Sequence, residues 1–263
     1  MKRNAVFPVF VLAVLLAAGF FIIRHRRDAP PRPVILVTIP EGSTVYEIDR
    51  ILSAASVIGR GQLIAAAAAN PALEGTLFPD TYYFYASSSV AAVVDKMTGN
   101  FAAKAAPLLI DPVVYESSTA SSSGAIAPAE QDLIVASMLQ KEVASSTDQE
   151  MVAGIIEKRL KAGMPLDIDA TICYAKQQAA PTSTEGCYPL KPADFAASSS
   201  YNTYLRKGLP PGPIGNPGLS AIEAALHPAA SPYWYYLSDP KTQQTIYAVS
   251  LAQQTANETK YLR

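Results

Sequence analysis

In the stretch ASMLQKEVASS, residues 136–146, an apolar helical stripe runs into a carboxylate, Glu142, where the next core residue would fall. At 3.6 residues per turn Val135, Leu139 and Glu142 share one face, and Ile134, Met138 and Lys141 share the adjacent one. The carboxyl therefore points along the buried edge of its helix, where desolvation favours the protonated form. An acid kept neutral near pH 7 is what general-acid catalysis requires, and a positioned one contributes about 10²–10⁴-fold. The same spacing also fits a plain surface glutamate in the last turn, paired with Lys141. A second carboxylate, Asp169, lies in the acidic segment 167–169 and either contacts a ligand or caps the next segment.

Other chemistries find little support. The glycines of residues 208–218 are interleaved with prolines, which removes the backbone donors that a phosphate cradle needs. No G-x-S-x-G elbow occurs, and a serine–histidine pair would depend on His227, whose neighbour Pro228 fits a packed loop equally well. Two cysteines cannot complete a thiolate zinc site; Cys173 and Cys187 are either bridged or two buried thiols. No metal site and no cofactor are expected.

The elements that must position Glu142 are a mixture of helices and strands. Residues 34–39 read as a strand, 45–55 as a helix capped by Ser43 or Thr44, and 62–69 as a second short helix ending at Asn70-Pro71. The aromatic run after Pro79-Asp80 reads as a strand, 90–101 as a helix and 111–127 as a loop. The Glu142 helix starts near Pro128, and Thr147–Glu150 fits a capping box for the next helix, which Gly163 stops. Near the C-terminus the aromatic run 233–237 pairs with 245–249 as a hairpin across Asp239-Pro240-Lys241; its tyrosines suit either sugar stacking or core packing. With no regular βαβ rhythm, the class is α+β.

The net charge is -1 and no basic stripe interleaved with aromatics appears, so a nucleic-acid partner is excluded. Residues 5–23 are apolar throughout and long enough to cross the ~30 Å hydrocarbon layer, and they read as an uncleaved anchor rather than a signal peptide. The cluster Arg24, His25, Arg26 and Arg27 after this segment outweighs Lys2 and Arg3 before it, which by itself favours a cytoplasmic body.

Eight segments occur together in one order: VTIPEGSTV from Val37, LEGTLFPDTY from Leu73, ASMLQKE from Ala136, AGIIEKRLKAGMPL from Ala153, DATICY from Asp169, YNTY from Tyr201 with GLPPGPI after it, NPG from Asn216 and AALHPA from Ala224. In this the chain resembles the endolytic murein transglycosylases, the YceG-like family of bacterial cell-wall enzymes. The resemblance implies a single-pass inner-membrane protein with its catalytic domain outside the cytoplasm. Its order would be a cytoplasmic N-terminus 1–4, a transmembrane helix 5–23, a tether 24–33, a small LysM-like β-α-α module 34–72 and a mixed helix/strand catalytic domain 73–263. It further implies cleavage of the β-1,4 bond between N-acetylmuramic acid and N-acetylglucosamine in nascent glycan strands, without water, leaving 1,6-anhydro ends. Glycan strands and the cytoplasmic membrane would be its partners, with peptidoglycan synthases as candidates. Within Gln140-Lys141-Glu142 the resemblance makes Glu142 the catalytic acid, since Gln140 stands where many members carry another glutamate. Tyr201, Asn202 and Asp169 become substrate-binding candidates. Ala170 stands where the family usually has proline. A two-carboxylate hydrolase using Glu142 and Asp169, and a silent glycan-binding scaffold, are the alternatives.

Overall fold

Two short sheets and a set of helices make up the chain, which a computed structural model describes over residues 32–109 and 128–262. Strand β1 (Val34–Thr38) is β-branched and leads into α1 (Val45–Ala54). Thr44 caps α1: its side chain accepts from Glu47 N, and the Glu47 carboxylate accepts from Thr44 N at 2.8 Å, a reciprocal box that satisfies two end donors. Helix α2 (Gln62–Ala69) has no cap of its own, and buried Asp49 accepts from Gly61 N and Leu63 N at 2.7 and 2.9 Å instead. At Asn70 the chain passes into a 3₁₀ turn, Pro71–Leu73, because Pro71 cannot continue the α-helical ladder. Strand β2 (Thr81–Tyr85) pairs with β1, burying Tyr82 and Phe84 and exposing Tyr83 and Tyr85, as period-2 geometry requires. Helix α3 (Val90–Lys104), capped by Ser89, adds Val93 and Met97 to a first core with Ile48, Leu52, Leu63 and Leu77.

The second core is mainly helical. It contains α4 (Ala106–Leu109), α5 (Pro128–Glu142), α6 (Ser146–Lys161), α7 (Asp169–Ala179), α8 (Pro192–Phe195), α9 (Leu219–Leu226) and α10 (Leu251–Tyr261). Strands β3 (Tyr235–Ser238) and β4 (Thr245–Ala248) form the expected antiparallel hairpin, with Tyr236 opposite Tyr247. Helix α9 lies against α5 and α6, and Ile134, Met138, Leu139, Ile156 and Ile222 are buried between them. Two local readings are corrected. The cap of α6 is Ser145, which accepts from Asp148 N, rather than a box begun at Thr147. Starting earlier turns Gln149 inward, where its amide donates to Val143 O at 3.1 Å. Asp169, for which capping was one reading, is instead the first residue of α7 after Ile168 at the cap, and gains from the positive end of the helix dipole.

One buried amide fastens the two cores together. Asn216 Oδ1 accepts from Leu77 N at 2.7 Å, and its Nδ2 donates to Ser43 O at 2.8 Å and to Glu74 Oε1 at 3.0 Å. Its backbone joins the same seam, exchanging bonds with Gly42 N and Ser43 O. Glu74 is itself buried, and both its oxygens accept from Val45 N, the first amide of α1. Burial pushes its carboxyl up to about 8.

The mixed α+β class stands, but the transmembrane helix expected over residues 5–23, and with it the single-pass inner-membrane localisation, is corrected. That segment lies outside the described residues, as do the first part of the tether and the loop expected over 111–127. Among the described residues no helix is long and apolar enough to cross a membrane. Crossing takes about 20 consecutive apolar residues, whereas the longest described helix, α6, has 16 and carries charges such as Asp148, Glu150 and Glu157.

Candidate active site

Glu142 is the last residue of α5, so whatever seats that helix also aims the carboxyl. Buried Ile134, Met138 and Leu139 fix one side of α5, while Ser137 and Gln140 grip the loop 212–218. Ser137 Oγ accepts from Ile214 N at 3.0 Å, and Gln140 Oε1 accepts from Gly218 N at 3.0 Å. Gln140 thus has a positioning task that needs an acceptor and no charge. Lys141 turns the other way and pairs with Glu47 of α1 at 3.4 Å, leaving Glu142 without the ion pair that the surface reading supposed.

The Glu142 carboxyl is mostly shielded from solvent. The Tyr236 hydroxyl, on β3, donates to Glu142 Oε2 at 3.1 Å, and Ala170 N–H at the start of α7 bonds to the same carboxyl group. Burial pushes Glu142 up to about 7, and the neighbouring charge of Asp169 adds to the rise; the Tyr236 and Ala170 hydrogen bonds act against it. Tyr236 is in turn driven well above its ordinary value by burial and by the charge of Glu142, so its hydroxyl stays a donor. It is anchored through its backbone carbonyl, which accepts from Gln254 Nε2 of α10. Replacing Tyr236 by Phe removes one of the two bonds that stabilise the charged form. The Glu142 pKa should then rise further above its present position, and a side-chain carboxyl titration by NMR measures this.

Asp169 faces the same place and is held in a similar way: the Tyr204 hydroxyl donates to Asp169 Oδ1 at 2.6 Å. Tyr204 itself packs edge-on against Phe195, 4.9 Å between ring centroids. The segment YNTY is therefore divided among several tasks. Asn202 is buried, its amide donating to Phe195 O and Ala197 O and accepting from Tyr204 N. Thr203 Oγ1 accepts from Ile168 N and bonds with Thr171, fixing the entry to α7. Tyr201 packs on Tyr174 of α7 at 4.7 Å, in a cluster with Tyr46 around Glu74 rather than beside Glu142. Of the four candidates, the structure brings Glu142 and Asp169 together and places Tyr201 and Asn202 in the supporting fabric. The residues that sequence reasoning missed are Tyr236 and Tyr204, each the hydrogen-bond partner of one carboxylate. Tyr204 belongs to the YNTY segment, but nothing in its spacing ties it to Asp169, 35 positions away.

A groove of about 410 Å³ runs between α1, α7 and the segment after α7. Tyr46, Arg60, Lys141, Ala170, Cys187 and Tyr188 are among its walls, and Ala170, whose N–H bonds to the Glu142 carboxyl, brings it next to that acid. Cys173 and Cys187 are joined in a disulfide, which settles the open question about the two thiols. His227 is exposed just after α9. Among the described residues no group of three or more His, Cys, Asp or Glu is arranged to hold a metal ion.

Comparison with known proteins bears on this arrangement. The chain is 30% identical over 194 residues to a Bacillus subtilis protein named endolytic murein transglycosylase, covering 72% of this chain and 48% of that one. It is 27% identical over 252 residues to a Streptococcus pneumoniae protein of the same name, covering 84% and 44%. The chain thus spans about half the length of the curated relatives it matches. A 2.6 Å crystal structure of a yceG-like protein from Listeria monocytogenes aligns over 86% of this chain and 99% of its own, with 22% identity and a TM-score of 0.42. The family model described as the YceG-like family matches residues 16–260, from before β1 to the last turn of α10 and across both carboxylates. On the strength of that match, the chain belongs to the YceG-like family.

Proposed function

We propose that this protein is an endolytic peptidoglycan lytic transglycosylase in which Glu142 is the single catalytic acid and base. The observation that carries the proposal is a shielded carboxyl raised to about 7 and held by a tyrosine hydroxyl, beside a groove open to solvent. The names of the Bacillus and Streptococcus relatives support the same substrate class. In the first half of the reaction protonated Glu142 donates its proton to the glycosidic oxygen, and the bond from that oxygen to C1 of N-acetylmuramic acid breaks. Tyr236 and Ala170 N–H stabilise the carboxylate that results. That carboxylate then takes the proton of the muramic C6 hydroxyl as O6 bonds to C1, so no water is consumed and Glu142 returns to its starting state. Hydrolytic glycosidases generally use two carboxylates, one for the leaving oxygen and one for water or a covalent intermediate. Cutting within nascent strands would make the protein a limiter of strand length.

A second reading, a muramidase that uses Asp169 as base or nucleophile, draws on the influence of the Asp169 charge on Glu142. Product chemistry separates the two. Uncrosslinked glycan strands digested with the purified full chain should yield new ends identified by mass spectrometry as 1,6-anhydro-N-acetylmuramic acid. Ordinary reducing ends would transfer the assignment to the two-carboxylate hydrolase. Absence of new ends while strands still bind would leave a glycan-binding scaffold.

A further inference from the structure

Three tyrosines face the two carboxylates, and two of them hold one each. The third, Tyr188, has no such task. The residue is 62% exposed, and among the described residues it has neither a hydrogen-bond partner nor an aromatic neighbour. It lines the groove together with Lys141 and Ala170, the chain neighbours of Glu142 and Asp169. Although most of the residue is exposed, its hydroxyl end reaches into the site, where partial burial first, then the charges of Glu142 and Asp169, push it up to about 12.

An exposed ring in a loop would ordinarily wander, but here a covalent clip holds its base. Cys173 follows Asp169 by four residues and Ala170 by three, which places it one turn along the same face of α7. The bond from Cys173 to Cys187 ties the residue directly before Tyr188 to that face. A second tie acts on the same loop, since Arg60 Nη2 donates to Thr182 O at 2.8 Å. Ring, groove and carboxylates are thus held together by α7 and its disulfide.

We propose that Tyr188 is a specificity residue of this site, its ring held at the groove rim by the Cys173–Cys187 disulfide to stack on the apolar face of a pyranose next to the bond under attack. The proposal rests on the glycan-cleaving reading above and adds a subsite to it. A tyrosine ring offers a large apolar face at small conformational cost, and ring contacts of this kind are worth about tenfold in affinity. The hydroxyl is incidental to stacking, so phenylalanine should serve nearly as well. The disulfide acts only through the ring it holds, so its loss and the loss of the ring should not add.

The test is binding of uncrosslinked glycan strands to the full chain carrying Glu142→Gln, in which turnover does not obscure affinity. Adding Tyr188→Ala should weaken binding roughly tenfold, while Tyr188→Phe should stay within about twofold. The pair Cys173→Ser and Cys187→Ser should weaken binding by a similar factor, and by no more when combined with Tyr188→Ala. Equal affinity of Tyr188→Ala and its parent overturns the proposal, as does a full multiplication of the two losses. Thermal melting of each variant shows whether the fold is intact. Cleavage by the wild-type chain is scored separately. Cleavage without dependence of binding on Tyr188 removes the subsite and keeps the enzyme; Tyr188-dependent binding without cleavage does the reverse.

Discussion

Glu142→Gln should eliminate strand cleavage, lowering turnover by at least about 10²–10⁴-fold, because glutamine has neither the proton to donate nor the charge to accept one. The same substitution should stabilise the fold at alkaline pH, a result that a merely structural glutamate in an ion pair would not give. The sign is set by the direction of the shift. Glu142 sits at about 7 in the folded chain against an ordinary 4.5, so the unfolded chain ionises it more readily. Its contribution to stability is complete below about pH 4.5, shrinks as pH rises between the two values, and is fully lost above 7. The loss amounts to roughly 3 kcal/mol from a shift of this size. Melting temperatures of the wild type and Glu142→Gln should therefore be close at pH 4.5 and diverge towards pH 8, with the variant higher. Activity of the wild type should fall on an alkaline limb near pH 7, since only the protonated acid can begin the reaction. A variant with normal activity, or one destabilised at pH 8, would remove Glu142 from the centre of the chemistry.

Asn216→Ala should cost about 3–5 kcal/mol of folding stability, the largest loss expected from a substitution remote from the carboxylates. Three buried bonds vanish at once: Leu77 N loses its acceptor, Ser43 O keeps the Asn216 backbone N–H, and Glu74 loses one donor while keeping Val45 N. An unsatisfied buried donor or acceptor costs about 1–3 kcal/mol each. Denaturant unfolding at pH 7 measures the loss. The variant Asn216→Asp is a sharper probe, because it keeps the acceptor for Leu77 N and sets a second carboxyl against Glu74. With Glu74 at about 8, a charge can be avoided on one partner below that pH and on neither above it. The destabilisation by Asp should therefore grow as pH rises through 8, while that by Ala should not. Equal losses at all pH values would mean that Glu74 is not the group that Asn216 serves.

Much of the local structure is dictated by residue order. The strand before Pro40, the Thr44 cap, the stop at Asn70-Pro71, the helix ending at Glu142 and the C-terminal hairpin all appear where propensity and period placed them. These depend on neighbours a few positions apart, which a sequence displays directly. The cap of α6 was misread because Ser145 and Thr147 are both good caps, and the choice between them was made by the inward turn of Gln149.

The site divides in the same way. That a single acid ends an apolar stripe at Glu142 was determined by the sequence, because position on a helix face is a matter of spacing within one element. The roles of its partners were decided only in three dimensions. Tyr236 lies 94 positions from Glu142, and Tyr204 lies 35 from Asp169. Within YNTY, the family resemblance pointed to Tyr201 and Asn202 as ligands, whereas packing turns Asn202 onto its own loop and Tyr201 towards Tyr174, and it is Tyr204 that bonds to Asp169. Composition could not choose among four polar residues in a row. Which of them meets a carboxylate depends on how α7 seats against the second core, and that seating is a property of the whole packed chain.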